Sequence, residues 1–312
     1  MFQLYSKRNF SSLVGDTFTL LKLEGKNYFK NYFIINGGLL LVLCIVIYFF
    51  MQIFLKSAFL ASSPNNSNAF LDTILSNVSL FIFFGVALIL LIMLASLVNY
   101  LYPVAYLKLL GENKQPSLNN LTSLIKGKIG RTIQFYLFSL FIIVPLLLVL
   151  LGLSFALVFV IIGVPILIIL IPAYTCWISL SYYEYISTNS SYFNSLKRGL
   201  KLLKSKFWPI IGSNYVMQSI VQIVLGIVVM VPYFIGIFTI FIDSDQTTQN
   251  SENVFSLLTI MLTVIMIISI LFNYTLQNII LINQGIIYYS LIEEQENISA
   301  KNNIDLIGQN EE

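Results

Sequence analysis

The chain has 312 residues, of which 57% are hydrophobic and only 10% charged. A soluble globular domain carries about 25% charged residues, so a soluble enzyme is disfavoured from the outset. There is no histidine. That removes the commonest general base and metal ligand, and with them Ser-His-Asp triads, HExxH motifs and His-type zinc sites.

Apolar residues are gathered into runs of membrane-spanning length, about 20 residues for a hydrocarbon core about 30 Å thick. In chain order, residues 1–32 are polar and basic. The apolar run at 33–55 is too long for a signal-peptide h-region and is expected to remain as the first span. A turn-rich loop at 56–77 contains Ser62-Ser63-Pro64-Asn65-Asn66. The second span covers 78–101, with Pro103 just beyond. Residues 133–183 form one block long enough for spans three and four. Gly152 and the Gly163-Val164-Pro165 step are both candidate turns within it. The fifth span covers 210–241, with a kink expected at Pro232. The loop at 243–253 carries Asp243, Asp245 and Glu252 and no basic residue. The sixth span starts near 254 and continues as a helix to about 289. The tail 293–312 is acidic and expected to be loose, leaving 1–292 as the transmembrane domain. Continuous runs of this length predict helices, because a membrane strand shows about ten residues of alternating polarity.

The net charge of +3 matters less than its placement. Of the Lys and Arg residues, all but Lys56 lie at 7–30, 108–131, 197–206 or 301. Membrane proteins concentrate these residues in short cytoplasmic loops. The pattern predicts six spans with both termini cytoplasmic. Each basic cluster abuts an apolar run, which disfavours a nucleic-acid partner.

Each odd-numbered span follows a basic stretch with helical periodicity. At 192–207, Phe193, Leu196, Leu200, Leu203 and Phe207 form one stripe, and Lys197, Arg198, Lys201 and Lys204 the other face. With Lys206, these cations are the expected contact with anionic headgroups of the cytoplasmic leaflet. The stretches at 13–30 and 120–132 show the same division. The predicted fold is therefore all-α: a polytopic membrane helical bundle of six transmembrane helices in three hairpins. A basic amphipathic interfacial helix precedes each hairpin. A faint internal echo supports a repeated unit, Lys30-Asn31-Tyr32-Phe33-Ile34-Ile35 against Lys206-Phe207-Trp208-Pro209-Ile210-Ile211.

Glu184 ends a span; after a short linker come Leu196-Lys197-Arg198-Gly199, and Phe207-Trp208 close the basic helix. This stretch of about 35 residues resembles the six-helix membrane domain fused to some bacterial glycerophosphodiester phosphodiesterases, and its stand-alone relatives of unknown function. In that family a Ser usually stands where this chain has Gly199. The Ile162-Gly163-Val164-Pro165-Ile166 step is similar to a turn in the stand-alone proteins. The resemblance implies the six-span layout and a bacterial inner membrane. It concerns the membrane part only: the hydrolase is a separate barrel of roughly 250 residues, for which this chain has no room, and it relies on histidine.

No phosphate-cradling GxxxxGK[ST] or GxGxxG occurs, and no ionisable residue lies deep in a span. No catalytic residue, metal ligand or cofactor is expected. Cys44 and Cys176 read as small apolar residues inside spans. The uncharged polar residues carry what signal there is. Asn214, Gln218 and Gln222 share one face of span five, and Asn273 and Gln277 one face of span six, continued by Gln284. Asn36, Asn99 and Gln134 lie at similar depth. These residues either bond helix to helix or line a cytoplasm-facing cavity. Spans five and six, joined by a short loop, are expected to bring their two rows together. Tyr182, Tyr183, Tyr185, Tyr288 and Tyr289 read as an interfacial aromatic belt. Glu184 reads either as an ion-pair partner of Arg198 or Lys197, or as a solvated carboxylate. The function expected is non-enzymatic: an accessory or scaffolding protein of the envelope, held by membrane lipids and open to a membrane-protein partner. The alternative is a permease or lipid-handling protein using the Asn/Gln face.

Overall fold

A computed structural model describes residues 2–61, 75–159, 163–243 and 251–298. Most of the two expected external loops and the tail beyond 298 lie outside the described residues. Among the described residues the chain is all-helical: α1 (Phe10–Ala61), α2 (Val78–Gly111), α3 (Leu118–Val158), α4 (Gly163–Thr188), α5 (Tyr192–Ser205), α6 (Phe207–Asp243) and α7 (Ser251–Glu296). All but α5 are long and apolar enough to cross a membrane. The chain is an integral membrane protein with six candidate spans.

Helix limits follow local chemistry. At the start of α1, the Asn9 side chain accepts from the Ser12 N–H at 2.9 Å, and Ser12 Oγ accepts from the Asn9 N–H at 2.8 Å. This reciprocal cap satisfies two donors that a helix start leaves open. Asn113, Asn189 and Asn297 take positive φ just past the ends of α2, α4 and α7. Asparagine tolerates that left-handed conformation better than most residues, which suits it to ending helices.

Four expectations about boundaries are corrected. The stretches at 13–30 and 120–132 are not separate interfacial helices. They are the first turns of α1 and α3, which run on without a break. At 52 residues, α1 is about 78 Å long, far more than the hydrocarbon core requires. Only the third stretch is its own helix, because Lys206 leaves helical geometry (φ −139°, ψ 53°) just before α6. Pro209 then sits in the first turn of α6, where its missing N–H costs nothing. Helix α2 continues through Pro103 to Gly111, and α3 continues through Gly152. Between spans three and four, it is the Gly163 step that begins a helix.

The chain divides into two compact units. The first comprises 1–32, 97–220 and 277–312. Its centre is made of helix segments buried on every side: 101–107 of α2, 180–186 of α4 and 281–293 of α7. Close approach is permitted by glycine. A Cβ on Gly285 would stand 2.2 Å from Leu107 Cδ1 and 2.5 Å from the Tyr183 hydroxyl; one on Gly199 would stand 2.2 Å from Ser181 Oγ. The N-terminal segment closes on the end of α7: the Arg8 N–H donates to Ser290 Oγ at 3.0 Å, and Tyr5 meets Tyr289 edge to face. Arg8 is 4% exposed, its guanidinium held by the carbonyls of Gln3, Leu4 and Ser6 and by Asp16 at 2.7 Å. The two ends of the described chain therefore meet on one side.

The second unit comprises 33–96 and 221–276. Phe49 stacks on Phe84 and Phe50 meets Phe81 edge-on, joining α1 to α2; a Cβ on Gly236 of α6 would strike Met261 of α7. Its outward surface is apolar, with Leu41, Ile82, Phe83 and Phe234 all exposed. Lipid is the solvent that such a surface fits.

Overpacking a helix contact costs about 1–3 kcal/mol. Gly199→Val and Gly285→Val are each expected to lower the thermal midpoint in detergent, whereas Gly226→Ala, with nothing within 4 Å of its Cβ position, leaves it unchanged.

Candidate functional site: buried polar contacts and the basic interface

Three of the hydrogen-bonded polar groups of the first unit involve the amides of its spans. In the first, the Tyr28 hydroxyl donates to Asn278 Oδ1 at 2.7 Å, and Asn278 Nδ2 donates to Asn99 Oδ1 at 3.0 Å. The same Asn99 oxygen accepts from the Tyr32 hydroxyl at 2.8 Å. Asn99 Nδ2 then donates to Gln277 Oε1, and Gln277 Nε2 to the Tyr100 hydroxyl at 2.7 Å. Three helices are joined by five bonds, and Tyr28, Tyr32, Asn99 and Asn278 are fully buried.

In the second group, Asn283 Nδ2 reaches the Leu13 carbonyl, Thr17 Oγ1 and Ser213 Oγ at 3.0–3.1 Å. One amide thus joins α1, α6 and α7. In the third, Asn214 Nδ2 donates to Thr175 Oγ1 at 2.9 Å, Gln218 Nε2 donates to the same oxygen, and Asn214 Oδ1 accepts from Gln284 Nε2.

The expected meeting of two amide rows is corrected in part. Asn214 and Gln218 are brought together, but on Thr175 of α4 rather than on Asn273 and Gln277. Gln277 bonds to α2 instead. Gln222 and Asn273 are exposed and belong to the second unit. The reason is helical drift: a spacing of four residues advances the face by 40° per step, so a row eight residues long wanders off any contact. Three central amides were missed by sequence reasoning: Asn278 and Asn283 altogether, and Asn99 as more than a residue of similar depth. Their signal was faint, a run of Asn278, Asn283 and Gln284 in a segment that reads as the helical continuation of the last span.

The tyrosines are also corrected. Tyr182, Tyr183, Tyr185, Tyr288 and Tyr289 are each no more than 5% exposed. They are core rather than belt, because α4 and α7 pack on each other at this level. The Tyr183 hydroxyl donates to the Leu281 carbonyl at 2.9 Å, and that of Tyr182 bonds Thr132 at 3.0 Å. Glu184 is 8% exposed and accepts from the Tyr288 hydroxyl at 2.9 Å. It pairs with neither Arg198 nor Lys197. Arg198 instead meets Glu296 at 2.6 Å, and Lys206 meets Glu294 at 2.7 Å. Both acids lie at the end of α7, so the basic helix is tied to the last turn of the last span.

The α5 stripe is likewise redirected. Leu196, Gly199, Leu202 and Leu203 are buried in protein, with the Trp177 indole donating to the Leu196 carbonyl at 3.0 Å. Phe193 and Leu200 stay exposed, beside the exposed Lys197, Lys201 and Lys204. The helix therefore offers a mixed apolar and cationic outer face. A cleft of 460 Å³ in the first unit is lined by Glu24, Asn27, Lys114, Gln115 and Ser117, and by none of the five amides singled out from the sequence. Cys176 is buried and Cys44 half-buried, both as thiols.

Replacing Asn283 leaves Ser213 Oγ without its amide partner and removes the donor to Thr17 Oγ1, whose own hydroxyl stays on the Leu13 carbonyl. Asn283→Leu is expected to lower stability by about 1–2 kcal/mol, while Gln222→Leu stays within about 0.5 kcal/mol. Thermal unfolding of the two variants in one detergent checks the contrast.

Set against protein-family models, curated proteins and solved structures, the chain matches none.

Proposed function

We propose that this is a non-enzymatic protein of the bacterial cytoplasmic membrane, with both termini in the cytoplasm and an accessory or scaffolding role in the envelope. The observation that carries the reading is the use made of the buried amides. Asn99, Asn214, Asn278 and Asn283 are fully buried and committed to bonds between helices. Polar groups engaged in this way hold a bundle together. A transport path would instead leave them facing a water-filled route. The positive-inside pattern supports the orientation, and the meeting of Arg8 with Ser290 supports termini on a common side. The outer face of α5 suits the anionic cytoplasmic leaflet. Its Lys197, Lys201 and Lys204 would reach headgroups while Phe193 and Leu200 enter the acyl boundary. The likeness to the six-helix domain of phosphodiesterase fusions fits the same role, a membrane platform on which a partner is mounted.

The permease or lipid-handling reading keeps one observation in its favour. Gln284 is 4% exposed, yet its Oε1 has no hydrogen-bond partner. That atom lies in the Asn214–Thr175–Gln218 group, where a passing polar ligand would find an acceptor.

Gln218→Leu separates the two readings. A chain that scaffolds is expected to keep restoring the defect of a deletion strain, with only a modest fall in thermal midpoint. Loss of restoration by a folded Gln218→Leu protein would favour the permease. For topology, reporter enzymes fused to either end are expected to be active only in the cytoplasm. Activity of one end outside would overturn the orientation.

A further inference from the structure

Three cations outside α5 converge on the C-terminal end of α4. Arg131 Nη2 donates to the carbonyls of Tyr185 at 2.8 Å and Ser190 at 2.7 Å, and its guanidinium stacks 4.1 Å from the centre of the Tyr185 ring. Lys108 Nζ donates to the Ser187 carbonyl at 3.2 Å, and Lys128 Nζ to Asn189 Oδ1. The cations come from α2 and α3, so the grouping belongs to the tertiary structure and not to one helix's own sequence.

Capping the helix end explains part of this and leaves a remainder. A helix C-terminus carries the equivalent of about half a negative charge. Three cations exceed that by about two and a half charges. Among the described residues, none of the ion pairs formed includes Lys108, Lys128 or Arg131. Glu184, close before the end of α4, is engaged by Tyr288 and by Thr188. Arg131 Nε is buried and has no hydrogen-bond partner. Lys108 uses one of its three donors in a bond to α4, and Lys128 one in a bond to Asn189 just beyond it. The cluster thus holds free donors and unbalanced positive charge.

Its place narrows the ligand. Arg131 immediately precedes the long apolar run of α3. On the face that carries Arg131, seven and eleven residues on, Phe138 and Ile142 are exposed (49% and 37%). A cationic pocket at the head of an exposed apolar track matches an anionic phospholipid, phosphate at the cluster and acyl chain along α3.

We propose that Lys108, Lys128 and Arg131 form a discrete binding site for the phosphate headgroup of an anionic phospholipid, with Phe138 and Ile142 receiving its acyl chain. The site does not depend on the accessory role proposed above, nor on α5.

The test uses the full chain in phosphatidylcholine nanodiscs, titrated with acyl-labelled phosphatidylglycerol and read by energy transfer. The double variant Lys108→Gln, Lys128→Gln keeps Arg131 and hence the main cap of α4, and its fold is checked by circular dichroism. Loss of two charges is expected to weaken phosphatidylglycerol binding roughly 30-fold. The α1 double variant Lys22→Gln, Lys26→Gln, which removes two exposed lysines outside the cluster, is expected to weaken it less than about threefold. Equal weakening by the two pairs would show a diffuse surface charge and overturn the site. So would unchanged binding by the folded Lys108/Lys128 variant. Phe138→Ser is expected to weaken the labelled lipid without altering helical content. Displacement of the lipid by inorganic phosphate at the lipid's own affinity would overturn the lipid assignment in favour of a free-anion site.

Discussion

Hydrocarbon offers no hydrogen bonds, so every amide and phenol taken into the membrane must find its partner in protein. The first unit is arranged around that requirement. Asn283 alone draws α1, α6 and α7 to one point, and Asn99 draws α1 and α7 to α2. Such bonds are individually modest in lipid. They are directional, however, and a methylene packed against a methylene is not. Tyr28, Tyr32, Tyr102 and Tyr106 add the bulk that keeps the amides dry, their rings meeting mostly edge to face at about 5 Å. Polar specificity and aromatic packing therefore act at the same level of the same helices.

Around this centre two groups of cations stand apart. Arg8, Arg131 and Lys206 are bound to backbone carbonyls and close the ends of the structure. Lys197, Lys201 and Lys204 remain on an outer face. Gly199 links the two groups. Any side chain at this position would strike Ser181 of α4. The glycine lets α5 lie directly on α4, and that contact decides which of its faces is left outward.

Much of the architecture could be read from hydropathy and charge placement. Span number, helical class and the third basic helix follow from run length and periodicity, because those depend on local sequence. Other features depended on contacts between distant residues. Nothing local distinguishes Tyr288 in a belt from Tyr288 in a core. The difference is whether α4 comes alongside, and only the fold supplies it. The same holds for Glu184, whose partner Tyr288 is far along the chain while the cations judged by proximity in sequence look elsewhere. The amphipathic stretches at 13–30 and 120–132 show a further limit. Periodicity locates a face, but it does not show whether the helix stops before the membrane or continues into it. At 206 a proline three residues on marks the break; α1 has no such residue.

Helix α7, whose segment 281–293 is enclosed by its neighbours in the first unit, follows the other five spans in order of synthesis. Until it arrives, Asn99 lacks Asn278 and Gln277, Thr17 and Ser213 lack Asn283, and the carboxylate of Glu184 lacks its phenol. The earlier helices must therefore enter the bilayer with polar groups still open and wait for α7 to close them. Quality control of this protein in the membrane is thereby tied to the arrival of α7: a product cut short before it carries its defect as unpaired amides in lipid, in a form that any surveillance system sensing intramembrane polarity can read.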